Sequence, residues 1–275
     1  MHNNRLSPLQ IKLLEMMKWF HAFCEEHSIK YYVLGGTLLG AIRHEGFIPW
    51  DDDIDVGLPR KDYEKFQQLM NGSRGQYVLE TPTSSNKDFC YTYSKIYDTH
   101  TTYVENKRIK VVRGVFLDVF PLDGLGENEI EARENYKRIE RKYNLVLCLT
   151  GGIREGRKWY KNLAVRCLRL IPRFMLDEKH IIQQLDKDCA EHDFNDSKWG
   201  GNLMGAWRFK EVMPREIMGK PTLYKFEDMQ VFGAEKADAY LTNIYGDWRK
   251  LPPKEKQVTH HDYLEIDLNK GYNEK

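Results

Sequence analysis

Two carboxylates stand two residues apart in Asp53-Ile54-Asp55-Val56, separated and followed by apolar residues. In an extended chain successive side chains alternate faces, so Asp53 and Asp55 project together while Ile54 and Val56 turn toward a core. Two like charges a few ångströms apart repel unless a proton or a cation lies between them. Mg²⁺ held by one or two carboxylates plus substrate phosphates is the usual resolution. Asp51 would share that face and is the reserve ligand. An isolated Asp-x-Asp after Pro49 would read as an exposed acidic turn, because short motifs carry a high false-positive risk. Here a second element upstream argues for a site.

That element is the glycine pair Gly35-Gly36. The apolar run Tyr31 to Leu34 reads as a short buried strand and stops at the pair, where a backbone without side chains can turn and approach a ligand. From Thr37 onward Leu38, Leu39, Ala41 and Ile42 follow helical spacing, which puts the glycines at a helix N-terminus. Exposed amides and the positive dipole end make that position a phosphate seat. A third element is Val115-Phe116-Leu117-Asp118-Val119-Phe120-Pro121, one acid in an otherwise apolar strand. A carboxylate is expensive to bury there unless it binds something. Asp123, in Leu-Asp-Gly, reads as a turn former instead.

The string Leu34-Gly-Gly-Thr-Leu-Leu-Gly-Ala-Ile-Arg-His, followed by Ile48-Pro-Trp-Asp-Asp-Asp-Ile-Asp-Val-Gly, resembles the LicD family of phosphocholine transferases. It is more distantly similar to fukutin-related sugar-chain phosphotransferases. Both lie within the nucleotidyltransferase-fold superfamily. The insert carrying Arg43, His44, Pro49 and Trp50 points to the LicD branch. The resemblance implies an α/β (α+β) core with a mixed sheet over residues 1–126, a helical insertion over 127–195, and a C-terminal segment, 196–275, that completes the core and closes the cleft.

It further implies that Asp53, Asp55 and Asp118 hold Mg²⁺ or Mn²⁺, and that Gly35, Gly36 and Thr37 donate to phosphate oxygens. Asp118 is the first candidate for general base and His44 the second. The implied reaction moves phosphocholine from CDP-choline to a sugar hydroxyl of a surface glycan or its lipid-linked precursor, releasing CMP. Arg43, Trp50 and Lys95 are candidates for substrate contact, the last because similar proteins carry a basic residue on its strand. The competing roles are an NTP-dependent nucleotidyltransferase, another CDP-activated phospho-alcohol such as a phospho-polyol, and a non-catalytic glycan- or nucleotide-binding protein. A quaternary ammonium would need an aromatic cage. Trp50, Tyr91, Tyr93, Trp207 and Trp248 are available for one.

The chain has 275 residues, with 42 Lys and Arg against 41 Asp and Glu, so no overall field favours nucleic acid. Five cysteines without a Cys-x-x-Cys pair argue against a disulfide framework or a zinc site. With neither a signal-like N-terminus nor an apolar run approaching a membrane span, the expectation is a cytoplasmic protein.

The supporting elements follow from periodicity and punctuation. Ser7-Pro8 opens a helix to about His27, and Pro59 opens another from Arg60 to Met70, closed by Asn71-Gly72. His21 and His27 on the first read as surface residues. Short strands are expected at Tyr77–Leu79, Phe89–Ile96 and Gly114–Phe120; the middle one puts Tyr91, Tyr93 and Lys95 on one face. Lys95 could meet a phosphate or guard a sheet edge. Helices follow over 127–150, 154–175 and 179–191, then two strands within 219–232 and a helix from Ala237 to Tyr245.

Residues 154–175 carry seven basic side chains and one acid among Trp159, Leu163, Leu168, Ile171 and Phe174. A basic amphipathic helix of this kind makes a peripheral contact with an anionic membrane, or packs its apolar stripe on the core. Lys256 and His260, with Arg249 and His261, contact substrate phosphate or form a plain surface tail.

Overall fold

The computed structural model describes residues 6–86, 88–106, 110–151, 159–169, 177–259 and 263–274. Helix α1 (Pro8–Glu26) begins at a capping box: the Ser7 hydroxyl accepts from the Gln10 amide at 3.1 Å, and the Gln10 side chain accepts from the Ser7 amide at 3.0 Å. It leads into strand β1 (Tyr32–Val33), helix α2 (Gly35–His44), strand β2 (Asp55–Pro59) and helix α3 (Arg60–Met70). Strands β3 (Ser73–Arg74), β4 (Tyr77–Glu80), β5 (Ser94–Asp98), β6 (Thr102–Asn106), β7 (Lys110–Arg113) and β8 (Phe116–Gly126) follow. Next come helices α4 (Glu129–Thr150), α5 (Trp159–Arg169) and α6 (Glu178–Cys189), and strands β9 (Trp199–Gly201) and β10 (Val212–Pro214). Helix α7 (Arg215–Met218), the hairpin β11 (Thr222–Phe226) and β12 (Met229–Gly233), helix α8 (Ala237–Tyr245) and strand β13 (Tyr263–Asp267) close the chain.

The main sheet runs β1-β2-β8-β5-β4-β3, and β9 extends the second half of β8 before pairing β10. It is mixed: β2 and β8 run parallel, whereas β1, β5 and β9 join their neighbours antiparallel. Strand β8 is its spine, buried along all eleven residues. Its apolar sequence predicts this, since a strand covered on both faces reads as a continuous hydrophobic run. Helices α1 and α3 pack on the sheet, with Phe20 and Phe66 ring centroids 5.4 Å apart. Tyr136, Ile139 and Val146 of α4, Leu185 of α6 and Tyr240, Leu241 and Ile244 of α8 belong to the same hydrophobic core as Val56 and Leu117.

A buried charge network ties helices to the sheet. Arg60, on the first turn of α3, donates to both carboxylate oxygens of Asp123 at 2.7 Å and to Asp186 at 2.9 Å. Asp123 is thus a core anchor on β8 instead of a turn former. The bidentate geometry satisfies both groups, which is the condition under which a charge pair can be buried.

Candidate active site

Two strands and one helix end converge on the acidic motif. Asp55, first residue of β2, is the direct cross-strand partner of Asp118 on β8. Its backbone is held on both sides: its amide donates to the Thr37 hydroxyl at 3.0 Å, and its carbonyl accepts from the Leu34 amide at 2.9 Å. Thr37 therefore fastens α2 to β2 with the oxygen that the sequence assigns to phosphate. Asp51 to Val56 alternate half-buried and buried, as an extended chain requires, with Asp51, Asp53 and Asp55 on the more open face.

The glycine pair lies directly above these acids. Gly35 has φ 48°, a left-handed conformation that side chains rarely adopt, and its missing Cβ would lie 3.7 Å from an Asp55 carboxylate oxygen. A Cβ on Gly36 would meet an Asp51 oxygen at 2.9 Å. Leu34, at the helix cap, offers no side-chain acceptor, and the Gly35 amide donates to the Tyr240 hydroxyl at 3.1 Å. The Gly35 amide at the end of α2 is thus taken by Tyr240, with acids beside it.

Gly35, Gly36, Asp53, Asp55 and Asp118 line one cavity of about 220 Å³. Burial first, and then the charges of Asp53, Asp118 and Asp51, push the Asp55 carboxyl well above its ordinary range. The carboxylate oxygens of Asp51, Asp52 and Asp53 lie within 4.8 Å of one another. Hard oxygen donors gathered around a carboxyl that resists ionisation fit Mg²⁺ or Mn²⁺. Asp53, Asp55 and Asp118, the set expected from the sequence, line the cavity, whereas the carboxylates set close enough together to share one ion among the described residues are Asp51, Asp52 and Asp53.

The remaining wall comes from residues that the motif does not predict. Asn202, Met204, Gly205, Ala206, Trp207 and Glu211 enter from the segment between β9 and β10, Tyr143 from α4, and Tyr245 from α8. Tyr93 and Phe120 complete the lining, with ring centroids 4.1 Å apart. Burial raises the Glu211 carboxyl to about 7, although the Trp207 amide and the Asn202 side chain both donate to it. Gly205 lets this carboxylate in, since a Cβ there would sit 2.0 Å from it.

Other expected contacts fall elsewhere. Lys95 lies on an internal strand, almost fully buried, with its ammonium 2.8 Å from an Asp118 oxygen and over the Phe116 ring. It is Asp118's cross-strand partner, so its charge is directed at that carboxylate and not at open space. Arg43, His44 and Trp50 line a second cleft of about 640 Å³ with Phe47, Pro49, Glu227 and Gln257. Arg43 donates to the Trp248 carbonyl at 2.9 Å and, through Nε, to His44 Nε2 at 3.0 Å. Burial and then the Arg43 charge lower the His44 pKa, which keeps the ring a neutral acceptor.

Of the cage candidates, Tyr93 and Trp207 reach the acidic cavity. Trp50 does not; Tyr91 donates to Glu105, and the Trp248 indole donates to Asp238. Lys256 is exposed on the turn Lys254–Lys256 beside the second cleft, and His260 lies outside the described residues.

An α/β sheet with an acidic cavity at a glycine-marked helix end defines a nucleotidyltransferase-type domain. Residues 28–143 match the family model described as LicD/FKTN/FKRP, nucleotidyltransferase domain. The lipopolysaccharide cholinephosphotransferase LicD of Haemophilus influenzae is 31% identical over 257 residues, covering 92% of this chain and 94% of that protein. The human ribitol 5-phosphate transferase FKRP is 37% identical over 68 residues, 25% of this chain and 14% of that protein. The chain belongs to the LicD family of transferases.

Proposed function

We propose that this protein transfers phosphocholine from CDP-choline to a sugar hydroxyl of a lipopolysaccharide-type glycan or its lipid-linked precursor, releasing CMP. The observation that carries the reading is the acidic cavity at the N-terminal end of α2, in a chain alike over nearly its whole length to a cholinephosphotransferase. When bound, Mg²⁺ or Mn²⁺ would neutralise charge on the diphosphate and orient it for in-line displacement.

The protein's own groups do the rest. The Gly35-Gly36 end of α2 seats phosphate oxygens against its dipole. Lys95 sets the position of Asp118 and offsets part of the negative charge of the cluster. Tyr93, Phe120, Tyr143, Trp207 and Tyr245 line the cavity in which the reacting phosphorus would lie. Asp118 is the carboxylate available to take the acceptor proton, because His44 sits in the second cleft. The Arg43–His44–Trp50 cleft, joined to the acids through the Trp50-Asp51 step of the chain, is read as the glycan approach.

Product analysis tests this reading. Labelled CDP-choline with a glycan acceptor is expected to give free CMP and phosphocholine-bearing glycan. A nucleotidylated acceptor, formed from CTP with release of pyrophosphate, would contradict it.

A lipid-linked acceptor also requires contact with a membrane surface. No described helix is long and apolar enough to cross one. Helix α5 presents Trp159 (76% exposed), Tyr160 and Leu163 to solvent with Arg166, within a segment of seven basic residues. The parts of 154–175 on either side of α5 lie outside the described residues. Each basic side chain engaged at an anionic leaflet contributes on the order of 1 kcal/mol. Cosedimentation with anionic vesicles at low salt, reduced by Arg166→Glu with Arg169→Glu, is expected; equal binding to neutral vesicles would contradict an electrostatic contact.

A further inference from the structure

Helix α8 brings two tyrosines to the N-terminal end of α2, and they act differently there. The Tyr240 hydroxyl accepts from the Gly35 amide at 3.1 Å, which leaves the amides of Gly36 and Thr37 as first-turn donors of α2. Tyr245 lines the acidic cavity itself. Its hydroxyl lies 3.6 Å from the point that a Gly35 Cβ would occupy, and an Asp55 carboxylate oxygen lies 3.7 Å from the same point. The glycine thus opens a gap that the phenol and the acid share. The Tyr245 ring is T-shaped to Trp207 with centroids 5.1 Å apart, whereas its hydroxyl makes no hydrogen bond among the described residues.

Other polar groups of the lining are already engaged. The Tyr143 hydroxyl donates to the Met204 carbonyl at 2.7 Å, and the Trp207 amide and the Asn202 side chain donate to Glu211. A phosphoryl group in transfer spreads negative charge over its non-bridging oxygens. Asp51, Asp53, Asp55 and Glu211 would repel that charge, whereas a phenol can donate to it without adding any. Burial first, and then the charges of Glu211, Asp51, Asp55 and Asp53, raise the Tyr245 pKa, so the phenol keeps its proton.

Resting on the phosphotransfer reading of the same cavity, we propose that the Tyr245 hydroxyl is a catalytic hydrogen-bond donor to a non-bridging oxygen of the phosphoryl group in transfer. In that step the acceptor oxygen bonds to phosphorus while the bond from phosphorus to the oxygen bridging it to CMP breaks. The acceptor proton passes to Asp118, CMP leaves as the anion, and Tyr245 keeps its own proton throughout. Donation strengthens as charge builds on the phosphoryl oxygen, so it acts on the rate more than on ground-state binding.

The test removes that oxygen alone. Tyr245→Phe keeps the ring beside Trp207 and is expected to lower kcat for transfer from CDP-choline about a hundredfold, the scale for losing one oxyanion donor. The donor KM should rise no more than about fivefold, and calorimetric affinity for CMP, which lacks the transferred phosphate, should change by less than about twofold. Incorporating 3-fluorotyrosine at position 245 puts the hydroxyl back and should recover most of the lost rate. A loss caused only by disturbed packing or folding would persist with it.

Turnover of Tyr245→Phe within about twofold of the wild type would overturn the assignment. So would failure of 3-fluorotyrosine to recover the rate, or an equal loss of CMP affinity, which would put the hydroxyl on the nucleotide. If the wild-type protein turns over no CDP-choline, the transfer reading fails by itself. Binding of inorganic pyrophosphate with Mg²⁺ then decides the hydroxyl: about fivefold weaker in Tyr245→Phe if it meets phosphate oxygen, unchanged if it does not.

Discussion

Helix α2 has a cleft at each end, and the two are opposite in character. At its N-terminus lie the acids Asp51, Asp53, Asp55 and Asp118 and the glycine backbone; at its C-terminus lie Arg43, His44 and Trp50. The placement of Arg43 follows the helix dipole, whose negative end favours a cation in the last turn. The acids follow the same logic, beside the positive end of the helix, which offsets part of their charge. They are kept near one another by Asp55–Asp118 pairing across parallel strands and by Lys95 behind Asp118. One continuous motif therefore builds two sites. The acidic one suits charge that arrives with a ligand, and the basic one suits a neutral or anionic sugar chain.

The largest expected effect separates the two ends by chemistry. Asp55→Asn should lower turnover by more than about a thousandfold, since a catalytic ion is worth several kcal/mol. The metal-free variant should melt at or above the wild-type temperature, because an amide replaces a carboxyl whose charged form is penalised by burial and by its acidic neighbours. A lower melting temperature would show that Asp55 is there for structure.

Lys95→Met comes next and acts on the fold. Removing one partner of a fully buried pair leaves the Asp118 charge uncompensated and should cost about 3–5 kcal/mol in denaturant unfolding. Full stability with weakened donor binding would return Lys95 to the role of phosphate ligand.

The pH dependence of metal-free stability sharpens the account of Glu211. Its carboxyl is raised from 4.5 to about 7, so the folded protein holds the proton more tightly than the unfolded chain does. That contribution is complete below about 4.5 and gone once the pH passes 7. Stability should thus fall on the order of 3 kcal/mol across the window, and Glu211→Gln should flatten the slope. A variant with the wild-type slope would place the titration elsewhere.

The smallest effect belongs to the basic end. Arg43→Ala is expected to raise the acceptor KM by up to about tenfold with the donor KM unchanged, the scale of a single charge-assisted contact. A thousandfold loss of kcat would erase the distinction between the two clefts.

How far the sequence could be read differs between these regions for physical reasons. Helix α3 was legible to the residue because Pro59 and Asn71 mark both ends, and the start of the first helix because Ser7 and Pro8 mark it. Asp118 stood out as one acid in the apolar run Val115 to Pro121, whereas Asp123 on the same buried strand did not. The strand expected from Phe89 starts only at Ser94, so Tyr91 and Tyr93 reach Lys95 from the segment before β5, its ammonium lying 4.4 Å from the Tyr91 ring. Register across strands is not written in alternation, so its Asp118 partner stayed hidden. Arg43 and His44 are close to the glycines in sequence, but the helical rise carries them about 12–14 Å away. The Glu211 wall was illegible because it rests on two short strands, β9 paired with β8 and β10 paired with β9, and on a glycine that shows its purpose only beside the carboxylate it admits.

The central claim is that Asp53, Asp55 and Asp118 together hold the ion the reaction needs. Anomalous diffraction from crystals soaked in Mn²⁺ and CDP-choline tests it most directly. The account predicts a peak among these three carboxylates and the donor diphosphate, abolished in Asp118→Asn. A peak held by Asp51, Asp52 and Asp53 with Asp118 still on Lys95 alone, or no peak in the cavity, would contradict it.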